Sequence, residues 1–298
     1  MTKKIKRSGY IAIVGKPNVG KSTLLNALLH KKISITSRKP QTTRHSILGI
    51  KTKDEVQMLF VDTPGLHSKE PRALNRYMNK AARSALSDVD IILFVVDSRC
   101  WDEQDQRVLE LLKKIKSHVF LVINKVDQLK DRKTLLPFIE SISHEYPFTK
   151  IIPLSAKNGE QVSALEHAIT EELPEGEHYF LPEQVTDRSD TFIASEIIRE
   201  KLMRYLGQEV PYALTVTIDL FKREERLLTI SAIIWVERKG QKAIVIGKEG
   251  ENLKEIGKKA RLDMEKYFGQ KVFLKLWIKV KDNWSDDEFL LTQLGYDL

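Results

Sequence analysis

The chain has 298 residues, 42% of them hydrophobic, which suits about two domains with ordinary cores. Its single cysteine, Cys100, excludes an internal disulfide and any cysteine metal cluster, and it points to a reducing compartment in which the thiol is expected to be buried or half-buried and inert. The net charge of +8 is concentrated: residues 222–281 hold 16 basic residues against 8 acidic, while 181–221 and 282–298 on either side are both acidic. Such a segment is either a solvated lysine-rich face or a nucleic-acid footprint. No run of about eighteen apolar residues occurs, so no membrane-crossing helix is expected. The basic start through Arg7 leads into an apolar stretch too short for a cleavable leader, and a cytoplasmic protein is the expectation.

Apolar strands are expected at 10–14, 46–51, 56–62, 91–97, 119–124 and 150–154, separated by amphipathic helices. One helix, 73–86, places Leu74, Tyr77, Met78, Ala81, Ala85 and Leu86 on one face; another carries Val108, Leu111, Leu112 and Ile115. The alternation predicts an α/β domain with a mixed, mostly parallel sheet flanked by helices over residues 1–173. Only 52–55 separate the second and third strands, too few for a crossover, so that pair should be antiparallel at one edge. Residues 174–190, with Pro174, Gly176 and Pro182 among polar side chains, read as a linker. Over 191–298 the order becomes α-β-β-α-α-β: a helix at 192–206, strands at 212–221 and 227–238, a helical turn at 242–246, a helix at 250–268 and a strand at 271–281. A last helix with Phe289, Leu290, Leu291 and Leu294 should pack on this smaller α+β domain, with Trp284 as its anchor.

Gly15-Lys16-Pro17-Asn18-Val19-Gly20-Lys21-Ser22, between the first strand and a helix opening at Thr23, has the P-loop spacing. Gly15 and Gly20 would open the backbone to a phosphate chain, Lys21 would meet the β- and γ-phosphates, and Ser22 would offer a hydroxyl to Mg2+. Asp62-Thr63-Pro64-Gly65 ends a neighbouring strand, where Asp62 can face the metal and the Gly65 N–H the γ-phosphate. In Asn124-Lys125-Val126-Asp127 the Asp127 carboxylate can only accept, so it pairs with the N1–H and amine of guanine and selects GTP. Ser155-Ala156-Lys157 would add a backbone N–H for the guanine carbonyl. In the polar loop 38–44, Thr43 is the candidate third metal ligand, with Thr42 still open and a simple strand start as the other reading. Downstream, Ile246-Gly247-Lys248-Glu249-Gly250-Glu251-Asn252-Leu253 contains a Gly-x-x-Gly before a helix. Two glycines there let a nucleic-acid backbone approach the helix N-terminus, with Lys248 on a phosphate and Ile244, Ile246, Leu253 and Ile256 as groove candidates; single-stranded RNA is the favoured ligand.

Taken together, Gly15–Ser22, Thr42-Thr43, Asp62–Gly65, Asn124–Asp127 and Ser155–Lys157 resemble the five signature elements of a small translation-type GTPase. With Thr186-Asp187-Arg188-Ser189, the helix around Glu196–Lys201 and the Gly-x-x-Gly added, the whole chain resembles the Era family of bacterial GTPases, a G domain joined to a type II KH domain. The resemblance implies a GTP-hydrolysing switch that binds the 3′ end of 16S rRNA in 30S subunit maturation; a monomer in weak peripheral association with the inner membrane is also expected. The competing readings are an RNA-binding module with GTP as a static ligand and a peripheral membrane or cell-cycle factor. Leu66 stands where many GTPases carry a water-orienting Gln, which the resemblance associates with slow intrinsic turnover. Asn18 either helps hold a K+ ion near the β–γ bridge, as in related GTPases, or only stabilises the loop backbone.

Overall fold

The structure is a computed structural model that describes residues 5–65, 72–207 and 209–296. Two compact units divide the chain: Arg188–Leu298 forms one together with Ile35–Thr42 and a segment ending at Tyr77, and the remainder forms the other.

The first unit is built on a six-stranded sheet. Its centre, β1 (Arg7–Val14), lies parallel to β3 (Val56–Asp62) and β4 (Ile91–Asp97); β5 (His118–Asn124) and β6 (Lys150–Pro153) continue beyond β4. On the far side β2 (Ile47–Lys53) closes the sheet as the one antiparallel strand, as its two-residue connection to β3 through Asp54 and Glu55 requires. Every residue of β4 is buried, the near-continuous apolar run expected of a strand covered on both faces. Parallel pairing brings the carboxyl ends of β1, β3, β4, β5 and β6 to one edge, where an open α/β sheet binds ligands. The P-loop, Asp62, Asn124 and Ser155 all stand there because of that pairing.

Helices α1 (Lys21–Leu29), α3 (Glu103–Leu112), α4 (Leu135–Ser143) and α5 (Val162–Glu172) belong to this unit, and α2 (Ala73–Ser84) is divided between the two units after Tyr77. Leu74, Met78, Val108 and Leu112 are buried as their spacing predicts, whereas Ala82 is buried where Ala81 was expected. Neither α4 nor α5 stands out in the sequence. Pro137 sits in the first turn of α4, where its missing N–H costs nothing, and Phe138, Ile139 and Ile142 pack against the core beside β5. Cys100 is exposed, contrary to expectation, because it lies past the end of β4 in the turn before α3.

Residues 174–187 are laced along the first unit. Ser8 N–H donates to the Pro174 carbonyl at 3.2 Å and Ile50 N–H to Val185 at 2.8 Å, while Thr186 Oγ1 donates to Leu48 at 2.7 Å. The fully buried Gln57 accepts from the N–H groups of Tyr179 (2.7 Å) and Phe180 (2.9 Å) and donates to the Phe180 carbonyl.

In the second unit the order is α6 (Asp190–Tyr205), β7 (Leu214–Arg223), β8 (Leu227–Val236), α7 (Lys239–Ile246), α8 (Glu251–Phe268) and β9 (Lys271–Val280). That is the predicted α-β-β-α-α-β, with β7 antiparallel and β9 parallel to the central β8. Pro211 lies in a short 3-10 turn, Val210–Ala213, so the first strand starts later than expected. The expected turn at 242–246 is a full eight-residue helix, since Gln241 Oε1 accepts from the N–H groups of Glu237 and Arg238 and holds its first turn. Trp284 is wholly buried, donates from Nε1 to the Ala213 carbonyl at 3.1 Å and stacks on Tyr296. It anchors α9 (Glu288–Gln293), in which Leu291 is buried and Phe289 faces solvent. Among the described residues no helix is long and apolar enough to cross a membrane.

Candidate functional site

The candidate phosphate cradle lies where β1 turns into α1. Gly15 has φ +149°, and a Cβ there would stand 2.3 Å from the Val95 carbonyl oxygen; at Gly20, φ +104°, it would stand 2.3 Å from Asn124 Nδ2. No side chain other than hydrogen fits either position. Gly65 packs on Pro17, with 3.0 Å available to a Cβ, so the loop after β3 touches the P-loop directly. Lys21 folds back over the cradle and donates to the carbonyls of Gly15 (2.9 Å) and Lys16 (3.0 Å). Burial pushes its pKa down to about 8, with the Asp62 charge resisting. Val19 is buried, Thr23 half-buried on the first turn of α1, and Asn18 exposed at φ +65°.

Lys16 offers only its backbone to the cradle. Its ammonium group turns away to Asp102 (2.7 Å) and the fully buried Asp105 (2.6 Å), and lies 3.7 Å from Cys100 Sγ. Burial opposes its charge, but the two carboxylates outweigh this and hold its pKa above the usual lysine range. Asp102 also caps α3 by accepting from the N–H groups of Gln104 and Asp105. The P-loop is thereby tied to the start of α3, a pairing invisible to motif reading.

Three oxygens meet beside Lys21. Ser22 Oγ lies 2.8 Å from Thr43 Oγ1 and donates to Asp62 Oδ2 at 2.8 Å, and Ser34 Oγ adds a second donor at 2.9 Å. Asp62 is fully buried; burial raises its pKa, against the opposing pull of Lys21 and the two hydroxyls. Its other oxygen, Oδ1, is buried without a hydrogen-bond partner. A carboxylate with one unsatisfied oxygen beside two hydroxyls is a donor set for a hard divalent cation such as Mg2+. Thr42 is engaged elsewhere, with Ser37 Oγ at 2.7 Å and the Lys39 carbonyl at 2.6 Å, so Thr43 is the threonine directed at this cluster. Thr63 donates to the Ile13 carbonyl at 2.9 Å and Pro64 is buried, which shapes the turn after Asp62. Leu66 lies outside the described residues.

Asn124 joins the phosphate side to the base side. Its Nδ2 donates to the Val19 carbonyl at 2.8 Å, and its Oδ1 accepts from Lys125 N (2.8 Å) and Ala156 N (3.0 Å). Of the backbone N–H groups of Ser155–Lys157 from which a donor to the base carbonyl was expected, that of Ala156 is directed at Asn124 and that of Ser155 at the Glu160 carbonyl. Lys125, at φ +66°, reaches the Asn18 carbonyl and donates to Asp97 Oδ2 at 2.9 Å. Burial would raise the Asp97 pKa, but Arg99 and Lys125 hold it well below the carboxylate range. Asp127 Oδ1 accepts from Ser155 Oγ at 2.6 Å, and Lys157 is exposed beside them. Ser34, Asp97, Asp102 and Asp105 were not predicted; an Asp ending β4 and the Asp-x-x-Asp opening α3 were the available signals.

In the second unit, Gly247 (φ +75°) and Gly250 (φ +82°) flank exposed Lys248 and Glu249, the latter also left-handed at φ +52°. A Cβ on Gly247 would meet Asn252 at 2.5 Å, and Asn252 Nδ2 donates to the Ile244 carbonyl at 2.8 Å, so Asn252 fastens the loop. No side chain caps the 18-residue α8, which leaves its first N–H groups for an anion. A groove beside it is lined by Gly250, Leu253, Lys254, Lys258, Leu274 and Leu276. Leu253 is half-buried in its lining; Ile246 is half-buried against the core, Ile256 is core, and Ile244 is half-exposed, none of these three lining the groove. The same unit holds loop residues 35–42: Arg199, itself buried and paired with Glu196, donates to the Thr42 carbonyl, Lys39 donates to Leu206, and Arg204 donates to Thr36 Oγ1 at 2.8 Å.

Residues 10–125 match the family described as 50S ribosome-binding GTPase, and residues 209–285 match the KH domain family. GTPase Era of Coxiella burnetii (strain Dugway 5J108-111) is 63% identical over 289 residues, covering 97% of this chain and 98% of that protein. The chain belongs to the Era family of GTPases. Era of Pseudomonas aeruginosa (strain LESB58) is 54% identical over 290 residues, covering 97% of this chain and 95% of its own. Two solved Era structures align at 40% identity over 98% of this chain and 100% of theirs. They are a point variant of Aquifex aeolicus Era bound to GDP.AlF4- (TM-score 0.94) and Era in complex with MgGDPNP and nucleotides 1506-1542 of 16S ribosomal RNA (TM-score 0.95).

Proposed function

We propose that this Era-family GTPase is a switch that binds and hydrolyses GTP with Mg2+ and engages the 3′ end of 16S rRNA through its KH groove during 30S subunit maturation, with 174–190 as the linker between a G domain (1–173) and an RNA-binding domain (191–298). Gly15, Gly20 and Lys21 hold the triphosphate, Ser22, Thr43 and Asp62 hold the metal, and Asp127 reads guanine. The ion, when bound, neutralises charge that develops on the phosphate oxygens. The observation that carries the switch reading over a static ligand is the placement of residues 35–42. Thr43 sits in the metal cluster, while the residue before it is hydrogen-bonded to Arg199 of α6 within the RNA-binding unit. Whatever moves Thr43 pulls on α6 through one peptide bond. The related complex with 16S rRNA supports the choice of RNA.

Crosslinking to 16S rRNA in the GTP-analogue and GDP states, with the bound sequence read out, tests this directly. Different yields at the 3′ end in the two states are expected; equal yields, with no phosphate release under saturating RNA, would sink the switch. Gly247→Asp with Gly250→Asp should cut RNA affinity at least about tenfold by placing carboxylates at the phosphate path, at positions whose φ is left-handed, while GTP affinity is retained.

Asn18 is exposed on the P-loop and its carbonyl is held by Lys125, so its side chain can serve a monovalent ion. K+ is expected to raise turnover relative to Na+, and Asn18→Ala to abolish the difference. Equal wild-type rates in the two chlorides would count decisively against the role.

A further inference from the structure

The KH sheet has two faces, and the groove uses one of them. Ile230, Ala232 and Ile234 of β8 and Ile278 of β9 point into the core beneath α6 and α8. The alternate residues of β9, Lys271, Phe273, Lys275, Trp277 and Lys279, point the other way. Phe273 is 48% exposed and Trp277 59% exposed, a large apolar surface for two residues of one strand. Across the sheet the register sets Leu220, 46% exposed, against Ser231 and Ser231 against Lys275, and Lys222 against Thr229 and Thr229 against Phe273. Small hydroxyl side chains on β8 thus floor a shallow basin between an aromatic wall and Leu220.

Charge on this sheet is one-sided. The three strands carry five basic residues, and their single acid, Asp219, is the residue at the β7 bulge. Lys275 Nζ lies 5.4 Å from the Phe273 ring centroid and Lys279 Nζ 5.7 Å from that of Trp235, so the cations stand over aromatic faces. Protein-docking surfaces are depleted in lysine at their centre, whereas sequence-tolerant binders of single-stranded nucleic acid alternate cations with aromatic stacking platforms. Alternate residues on a strand are about 6.6 Å apart, so each aromatic has a lysine one nucleotide's reach to either side. Leu274 and Leu276 of this same edge strand line the groove. A chain leaving the groove needs only to round the β9 edge to reach Phe273 and Trp277.

We propose that the outer face of β9 is a second single-stranded RNA contact, where bases stack on Phe273 and Trp277 and phosphates meet Lys271, Lys275 and Lys279 as the strand continues from the groove. The proposal rests on reading the groove as an RNA site. Its test uses the full-length protein with two kinds of probe: 16S rRNA nucleotides 1506–1542, the segment in the related complex, and six-nucleotide pieces tiled through it. Phe273→Ala with Trp277→Ala is expected to weaken the long RNA about tenfold to a hundredfold and to leave the tightest short piece unchanged. Lys275→Gln with Lys279→Gln should reduce the slope of log affinity against log salt by about 1.4 on the long RNA only. RNA-free GTP hydrolysis and melting temperature serve as fold controls. Unchanged long-RNA affinity and salt slope in both double variants overturns the proposal, and if those variants instead lose co-sedimentation with 30S subunits stripped of this RNA segment, the face is a protein contact. Equal weakening of long and short probes also overturns it, since the effect then lies in the groove. If no short piece binds the wild type and Gly247→Asp leaves the long RNA bound, the groove reading fails, while the β9 variants still decide the outer face on the long RNA.

Discussion

Asp127→Asn is expected to lower GTP affinity by about a thousandfold or more and to create affinity for XTP. A site built to receive hydrogen bonds rejects a partner that leaves its buried polar groups unpaired by factors of about 10⁴. Guanine presents an N1–H and an amine, both donors, and the carboxylate meets both with acceptors. An amide meets one of them with a donor of its own. Ser155 Oγ donates to Asp127 Oδ1 at 2.6 Å, and that contact would orient the amide with its oxygen toward Ser155 and its NH2 toward the base. Xanthine carries a carbonyl where guanine carries the amine, which suits that orientation. Equilibrium binding of GTP and XTP to wild type and variant checks the prediction. A variant within tenfold of wild type for GTP, or one that gains nothing for XTP, would show that Asp127 does not read the base.

Asp62→Asn should reduce the rate of GTP hydrolysis by about 10²–10³-fold, with no recovery at high Mg2+ and with GDP binding largely kept. The amide keeps the shape and can still bond Ser22 and Ser34, so the fold around it survives. What disappears is the buried negative charge. In the proposed role that charge holds the metal, and it also resists the burial that pushes Lys21 down to about 8. Without it the Lys21 ammonium loses the carboxylate that supports its charge. One substitution therefore weakens two electrostatic contributions to the same transition state. Single-turnover hydrolysis across a Mg2+ series measures the loss; a rate within threefold of wild type would remove Asp62 from the mechanism.

Much of the candidate nucleotide site was legible in the chain because its pieces are local. A glycine pair with a lysine, an Asp ending a strand, and an Asn-Lys-x-Asp after another each declare their chemistry within eight residues, and parallel pairing assembles them at one sheet edge. The contacts that hold those pieces in register could not be read. Lys16 finds Asp102 and Asp105 more than eighty residues away, and Arg199 finds the Thr42 carbonyl 157 residues away. Each is an ordinary charged residue on a helix or loop until the fold supplies its partner. The α4 helix escaped notice for a different reason: Leu135, Leu136, Phe138 and Ile139 crowd its first half, so no polar face marks the helical period. In the KH domain the element order was legible from alternation and glycine placement. The outer face of β9 was not, since an alternating strand looks the same whichever face it buries.

Asn124 has a kinetic consequence. One side chain grips the P-loop at Val19, its own loop at Lys125 and the last loop at Ala156, each through a bond made within the protein. Because these bonds need no nucleotide atom, they keep the three segments in register by themselves, and little rearrangement is expected between encounter and capture. Association should run at the pace of diffusion and docking, and differences in affinity between one guanine nucleotide and another should be written almost entirely in how long each one stays.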